Sequence, residues 1–106
     1  IALIKEIHDK LIMNLDQKYT IEELSRLYLI NTSSLKSCFK AVYGMPIATY
    51  MKEYRIKQAM SLLLETKESI ASIAAMVGYN SQSKFAKAFQ EITHSLPSEF
   101  RKLNHL

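Results

Sequence analysis

Residues 70–89 have the sequence IASIAAMVGYNSQSKFAKAF, and this stretch decides the fold. Apolar residues recur in it at helical spacing, stop at Gly78, and resume in a second helical pattern after Ser81. Residues 21–39, IEELSRLYLINTSSLKSCF, repeat this arrangement about fifty residues earlier. The matching apolar positions are Ile21, Leu24, Leu27, Leu35 and Phe39 in one stretch and Ile70, Ile73, Met76, Phe85 and Phe89 in the other. The sequence therefore predicts a helix-turn-helix unit that occurs twice.

Start and stop signals place the other helices. A first amphipathic helix carries Ile4, Ile7, Leu11 and Leu15 at intervals of three and four residues. The remaining signals are a capping box of Thr20 and Glu23, N-caps at Asn31, Ser69 and Ser81, a left-handed C-cap at Gly44, and helix-opening prolines at Pro46 and Pro97. Seven helices result.

The fourth helix, at residues 46–65, is long enough to span about 30 Å. Its apolar residues form two stripes on opposite sides, since equivalent positions lie two and a half turns apart. The stripes are Ile47, Tyr50, Met51 and Tyr54, followed by Ile56, Ala59, Met60 and Leu63. We expect its first half to pack on the first helix pair and its second half on the second.

The predicted fold is all-α, with seven helices and two helix-turn-helix subdomains joined by a long central helix. The subdomains cover about 20–43 and 69–92, and residues 1–106 form one domain. Residues expected to face inward include Leu27, Leu35, Cys38, Phe39, Val42, Phe100 and Leu103. Met45, Met51, Met60 and Met76 are expected to fill the core.

Composition limits the function. Fourteen Lys and Arg against ten Asp and Glu give a net charge of +4, which favours a polyanionic partner or simply aids solubility. One cysteine excludes an internal disulfide, and no apolar run is long enough to cross a membrane. We expect a cytoplasmic protein without a membrane partner. Because the chain opens on Ile1 and enters a helical pattern at once, we also expect a piece of a longer protein.

The outward faces of the third and sixth helices are polar and basic, as contact with base edges and phosphates requires. In the third helix this face holds Ser33, Ser34, Lys36, Ser37 and Lys40, and in the sixth it holds Gln82, Ser83, Ala86, Lys87 and Gln90 with Lys84 beside them. Gln82 is suited to adenine, and Lys87 to guanine or a phosphate. The serines are equally typical of solvated surface. Double-stranded DNA is the partner that these faces favour.

Residues of the central helix complete this interpretation. Lys52, Arg55 and Lys57 are suited to contacts with the DNA backbone or to ordinary exposure, and none is expected to specify sequence. Successive major-groove faces lie about 34 Å apart, close to the length of the helix. We therefore expect the two outward faces to enter successive major grooves of one asymmetric site.

Other chemistries find little support. His8, His94 and His105 are far apart and have no second ligand at helical spacing, so no metal or cofactor is expected. The chain has two glycines, no phosphate-binding loop and no nucleophile elbow. We expect no enzyme activity.

The chain closely resembles the DNA-binding domain of AraC/XylS-type bacterial transcription regulators from Ile4 to Lys102. The most specific segments are residues 70–74 (IASIA), 77–79 (VGY), 83–85 (SKF), 88–89 (AF) and 97–101 (PSEFR), with Tyr50, Arg55, Ala59 and Leu62–Leu64 in the central helix. The resemblance implies sequence-specific promoter binding, usually activation through contact with RNA polymerase, and a companion domain outside this chain that senses a small-molecule effector or dimerises. It places DNA contacts on Ser33, Ser34, Lys36 and Ser37, and on Gln82, Ser83 and Lys87.

Four residues depart from the family pattern. Leu29 and His94 stand where glycine is usual, Leu96 replaces a serine cap, and Ser37 replaces a frequent arginine. The last change weakens any guanine contact from the third helix.

Two alternatives come from other classes of protein. One is a helical protein-interaction module whose basic faces bind an acidic partner without DNA specificity. The other is a DNA-repair methyl acceptor, which requires an accessible thiolate, whereas Cys38 is expected to be buried.

Overall fold

The computed structural model describes residues 1–104, and within that range it contains seven α-helices and no strand. The helices are α1 (Ala2–Met13), α2 (Ile21–Tyr28), α3 (Thr32–Tyr43), α4 (Ile47–Glu65), α5 (Ile70–Met76), α6 (Gln82–Thr93) and α7 (Pro97–Asn104). The prediction of an all-α fold with seven helices is confirmed. His105, considered above as a metal ligand, lies outside the described residues.

Side-chain caps fix where four of the helices begin. Thr20 Oγ1 accepts a hydrogen bond of 3.0 Å from the Glu23 N–H, and the Thr20 N–H donates one of 2.9 Å to Glu23 Oε1. Asn31, Ser69 and Ser81 each accept a bond from the amide three residues on. These bonds satisfy backbone amides that have no partner inside the helix, so each bond fixes the residue at which its helix begins. The four predicted caps are confirmed.

The chain divides into two compact units, Ile1–Met51 and the residues from Lys52 onward. In the first unit the buried core consists of Ile4, Ile7, Leu11, Leu24, Leu35, Phe39, Ile47 and Met51. In the second it consists of Ile56, Ala59, Leu63, Ile73, Ala74, Val77, Phe85, Ala88 and Phe89. Each unit thus has its own core, and each core contains one pair of helices joined by a tight turn.

Helix α4 contributes to both cores, as its two apolar stripes predicted. Ile47 and Met51 belong to the core of the first unit, while Ile56, Ala59 and Leu63 belong to that of the second. Because the two stripes lie on different sides of α4, the helix has no single apolar face. The division of α4 between two packing partners is therefore confirmed.

Two turns hold non-glycine residues in the left-handed backbone region. Leu29, after α2, has φ 53° and ψ 45°, and His94, after α6, has φ 62° and ψ 23°. Gly44, after α3, has φ 83° and is the left-handed cap that the sequence predicted. Leu29 and His94 thus adopt a conformation that glycine favours, although both carry side chains.

The burial predicted for the third helix was wrong at two positions. Cys38 is exposed, and Val42 is 43% exposed. The buried side of α3 runs through Leu35 and Phe39 and then turns to Tyr43, whose ring lies 4.7 Å from that of Phe39. In the last turn of α3, Tyr43 packs on the core and Val42 does not.

Three other apolar residues were also wrongly predicted to be buried, and each belongs to a short helix. Leu27 is 58% exposed, Met76 is 45% exposed and Leu103 is 78% exposed. In α2 the half-buried Tyr28 packs on the core in place of Leu27. In α5 the stripe continues from Ile73 to Val77, past Met76.

In α7 the side facing the core carries an arginine. Arg101 donates from Nε to the Leu63 carbonyl at 3.0 Å and from a terminal nitrogen to the Thr66 carbonyl at 3.2 Å. Both carbonyls lie at the C-terminal end of α4, where helix carbonyls lack internal partners. Arg101 therefore caps α4, and Leu103 is left on the solvent side of α7.

Candidate DNA-binding surface

Helix α3 exposes a short basic face. Asn31 Oδ1 accepts a 2.8 Å bond from the Ser34 N–H, which fixes the register of the helix, and Leu35 and Phe39 are fully buried. Four of the five residues predicted for this face are exposed: Ser33, Lys36, Ser37 and Lys40. The fifth, Ser34, is half-buried. Lys36 and Lys40 lie one turn apart, and neither forms an ion pair with the part of the chain described here.

The same four residues line a groove of about 500 Å³. The other residues that line it are apolar: Ile21, Pro46, Ile47 and Ala48. Ser37 is less available than its neighbours, because its hydroxyl lies 3.4 Å from the Ser34 carbonyl, to which it donates. The structure thus brings Ser33, Lys36, Ser37 and Lys40 together on one face of the first unit.

A cluster of aromatic rings supports the C-terminal end of α3. The His8 ring stacks on Tyr43 with 4.3 Å between centroids and an interplanar angle of 11°. His8 Nε2 and the Tyr50 hydroxyl share a hydrogen bond of 2.7 Å. These contacts tie α1 and the start of α4 to α3. Sequence reasoning missed this role, because it weighed His8 only as a metal ligand.

Helix α6 exposes the corresponding face of the second unit. Ser81 Oγ accepts from the Lys84 N–H at 3.2 Å, and Phe85, Ala88 and Phe89 are buried. All four residues predicted as contacts are exposed: Gln82, Ser83, Lys84 and Lys87. Gln82 is the first residue of the helix. The long amide side chain of Gln82 can therefore extend beyond the N-terminus of α6 toward a bound molecule.

Arg55, like Ser34, is a predicted contact that is half-buried. Its side chain is half-buried in the second unit beside Tyr79. Burial lowers the pKa of the Arg55 guanidinium, and burial also raises the pKa of the Tyr79 hydroxyl. An arginine stays protonated at neutral pH despite such a shift. Arg55 therefore brings a positive charge to the second unit from a position that packing holds in place.

An ion pair that the sequence did not reveal lies next to this arginine. Lys52 Nζ donates to Glu91 Oε1 at 2.6 Å, which links α4 to α6 within the second unit. The partners are 39 residues apart in the chain, so no local pattern indicates the pair.

Within residues 1–104, no group of three or more His, Cys, Asp or Glu side chains is arranged to hold a metal ion. Over the same residues, no helix combines the length and apolar character needed to cross a bilayer.

The second helix of each helix pair, α3 in the first unit and α6 in the second, has a capped start, a buried apolar side and an exposed basic side. The fold and these faces define the class of helix-turn-helix transcription regulators. A family model described as a helix-turn-helix domain matches residues 24–103. The chain belongs to the AraC-type helix-turn-helix family, which consists of DNA-binding transcription regulators rather than enzymes.

Two curated relatives illustrate the match. The chain is 29% identical over 101 residues to the HTH-type transcriptional activator RhaR of Mannheimia succiniciproducens, covering 95% of this chain and 37% of that protein. It is 30% identical over 86 residues to the arabinose operon regulatory protein of Escherichia coli K12, covering 81% of this chain and 30% of that protein. The chain thus spans about a third of the length of these relatives.

A solved structure shows the same fold. The DNA-binding domain of AdpA, a global transcriptional factor crystallised with a target DNA, superposes with a TM-score of 0.89 at 19% identity. The match covers 94% of this chain and 90% of the AdpA chain.

Proposed function

We propose that residues 1–106 form a DNA-binding domain that recognises double-stranded DNA sequence-specifically through α3 and α6. The observation that carries the proposal is the repeated design of the two helices. In both, side-chain caps fix the helix start, aromatic and aliphatic residues bury one side, and polar and basic residues occupy the other. Helices of this kind fit the width of the major groove.

The residues proposed to meet DNA would make different kinds of contact. Gln82 can form two hydrogen bonds with adenine, and Lys87 can reach guanine or a phosphate. Lys36, Lys40 and Lys84 are suited to phosphates, which position the protein without specifying sequence. Ser33, Ser34, Ser37 and Ser83 contribute shorter hydrogen bonds, and Arg55 adds charge near the DNA backbone.

The two helices are proposed to occupy successive major grooves. Helix α4 has 19 residues, which corresponds to about 28 Å and approaches the roughly 34 Å between groove faces. One chain would then do the work of a symmetric dimer. Because the exposed faces of α3 and α6 differ in sequence, the preferred site should be asymmetric.

Activation of transcription extends the proposal to the whole protein. The relative from Mannheimia succiniciproducens is named a transcriptional activator, and AdpA was crystallised with DNA. We propose a bacterial cytoplasmic activator that contacts RNA polymerase and senses a small-molecule effector through a domain outside this chain. No catalytic step and no cofactor belong to this role.

The proposal is tested by selecting binding sites for this chain from randomised duplexes. An enriched asymmetric motif, with affinity that falls steeply as salt rises, is the expected result. The groups of conserved bases should be spaced by about one helical turn of DNA. No enrichment and no binding at low salt would refute the proposal and favour the protein-interaction module.

The exposure of Cys38 removes one argument against the methyl-acceptor alternative, since that argument required a buried thiol. Membership in a family of transcription regulators now carries the case against an enzyme. Incubation with DNA containing an alkylated base decides the point, because transfer of the alkyl group would add its mass to Cys38.

A further inference from the structure

The ion pair between Lys52 and Glu91 lies at the edge of the exposed face of α6. Ser83, Lys87 and Glu91 follow one another at intervals of four residues, so they share one side of the helix. This side is distinct from the one that buries Phe85 and Phe89. Glu91 therefore places a negative charge one turn beyond Lys87, on the surface proposed to meet DNA.

Packing does not explain the pair. The side chains of Lys52 and Glu91 are 42% and 49% exposed, and ion pairs this open to water contribute little to folding. Both groups are nevertheless held in the charged state. The hydrogen bond between them lowers the pKa of Glu91 and raises the pKa of Lys52.

The position matters because several basic residues lie nearby. Lys84 and Lys87 are exposed on α6, and Arg55 lies one turn after Lys52 on α4. Basic residues attract the phosphates of any sequence. Glu91 engages the Lys52 ammonium at 2.6 Å, so Lys52 is not free to meet a phosphate while the pair is intact.

We propose that Glu91 is a positioning residue that limits sequence-independent DNA affinity by holding Lys52 away from the phosphates. The inference rests on the proposed function and goes beyond it, because it assigns a role to an acidic residue on a surface that is proposed to bind DNA. Lys52 contributes no phosphate contact while the pair is intact.

The expected size follows from counterion release. Each added phosphate contact makes the slope of log K against log salt steeper by about 0.9 on B-form DNA. Between 1 M and 0.15 M salt, that slope corresponds to a gain of about fivefold in affinity. Releasing Lys52 should therefore strengthen binding about fivefold near 0.15 M salt, and by similar factors on every sequence.

The test compares Glu91→Gln with Glu53→Gln by fluorescence anisotropy on a random-sequence duplex over a range of salt concentrations. Glu53 is exposed on α4 and forms no ion pair within the described residues, so its variant removes the same formal charge without releasing a lysine. Glu91→Gln should show the steeper slope and the fivefold gain, and Glu53→Gln should show clearly less. The double variant Lys52→Gln/Glu91→Gln should return both quantities to the wild-type values.

The inference would be overturned by equal effects of the two glutamine variants, by no effect of Glu91→Gln, or by a gain that persists in the double variant. A change confined to a selected high-affinity sequence would make residue 91 a base contact instead and would equally exclude the inference. If the wild-type chain binds no duplex at low salt, the proposed function itself fails, which the first measurement of the series reveals.

Discussion

Replacing Leu29 with glycine should stabilise the protein, although Leu29 is an apolar residue in a tight turn. Its backbone lies in the left-handed region at φ 53° and ψ 45°, which disfavours residues with a Cβ atom. The turn holds it there. The Leu29 N–H donates to the Ser25 carbonyl, the Ile30 N–H donates to the same carbonyl at 3.1 Å, and the Ser25 hydroxyl donates to the Ile30 carbonyl.

The magnitude follows from three contributions. The left-handed conformation costs a non-glycine residue about 1–2 kcal/mol, which glycine avoids. Glycine loses about 0.5–1 kcal/mol through the greater freedom of the unfolded chain. Burial adds almost nothing, because Leu29 is 93% exposed. We expect Leu29→Gly to raise the free energy of unfolding by about 0.5–1 kcal/mol, or roughly 3–6 °C in melting temperature.

The assay is urea denaturation followed by circular dichroism, with Leu29→Ala as the matched control. Alanine removes the leucine side chain but keeps the Cβ atom, so this variant should stay within about 0.5 kcal/mol of the wild type. The difference between the glycine and alanine variants isolates the backbone cost. A glycine variant no more stable than the alanine variant would refute the reasoning. His94→Gly, compared with His94→Ala, repeats the test at the left-handed cap of α6.

The remaining predictions concern both stability and binding. Gly44→Ala should destabilise by about 1 kcal/mol in urea denaturation, because φ is 83° and an added Cβ meets no atom within 4 Å, so only the backbone is strained. Arg101→Ala should cost about 1–3 kcal/mol in the same assay by leaving the α4 carbonyls without their donor. Lys87→Ala should weaken binding to the selected site by about 1–3 kcal/mol if it contacts a base edge, and an equal loss on random DNA would make it a phosphate contact. The hydrogen bonds from Thr20 lower the pKa of Glu23 in the folded protein. The Glu23 carboxylate therefore stabilises the fold above pH 4.5, and this stabilisation is lost as the pH falls through the lowered pKa. Glu23→Gln should remove this contribution to the pH dependence of the free energy of unfolding.

The helix boundaries were predictable because the interactions that set them are local. Thr20 reaches Glu23, and Asn31 reaches Ser34, three residues along the chain. Such bonds depend only on residue type and spacing, which a sequence displays directly. The same is true of Gly44, whose missing Cβ suits the left-handed cap that ends α3.

Burial at helix ends was not predictable, since distant residues decide it. Tyr43 packs on the core and Val42 does not, and the ring of Tyr43 stacks on that of His8, far away in the sequence. Arg101 faces the core because the carbonyls of α4 need donors. Helical spacing alone identifies the apolar side of a helix. In the last turn few other residues pack against the helix, so not every apolar residue on that side is buried.

The candidate surface shows the same division between local and distant causes. The exposed residues of α3 and α6 follow from helical periodicity once the buried side is known. The half-burial of Arg55 and the pairing of Lys52 with Glu91 depend on contacts between α4 and the second helix pair. Sequence reasoning therefore named candidate contacts on α3 and α6 but could not find Glu91, the acidic residue that pairs with Lys52.

The two exposed faces are unlike, and their chemistry suggests how recognition would be shared. On α3 the Ser37 hydroxyl donates to the helix backbone, and the longest polar side chains are Lys36 and Lys40, which suit phosphates. On α6, Gln82 carries both a donor and an acceptor, the combination that adenine requires. We therefore expect α6 to dominate specificity and α3 to supply mainly affinity. In a selection from random duplexes, the bases facing α6 should be the more strongly constrained half of the motif, and Gln82→Ala should relax that half alone. Equal constraint of both halves would show that residues of α3 also contact bases and would refute this division of roles.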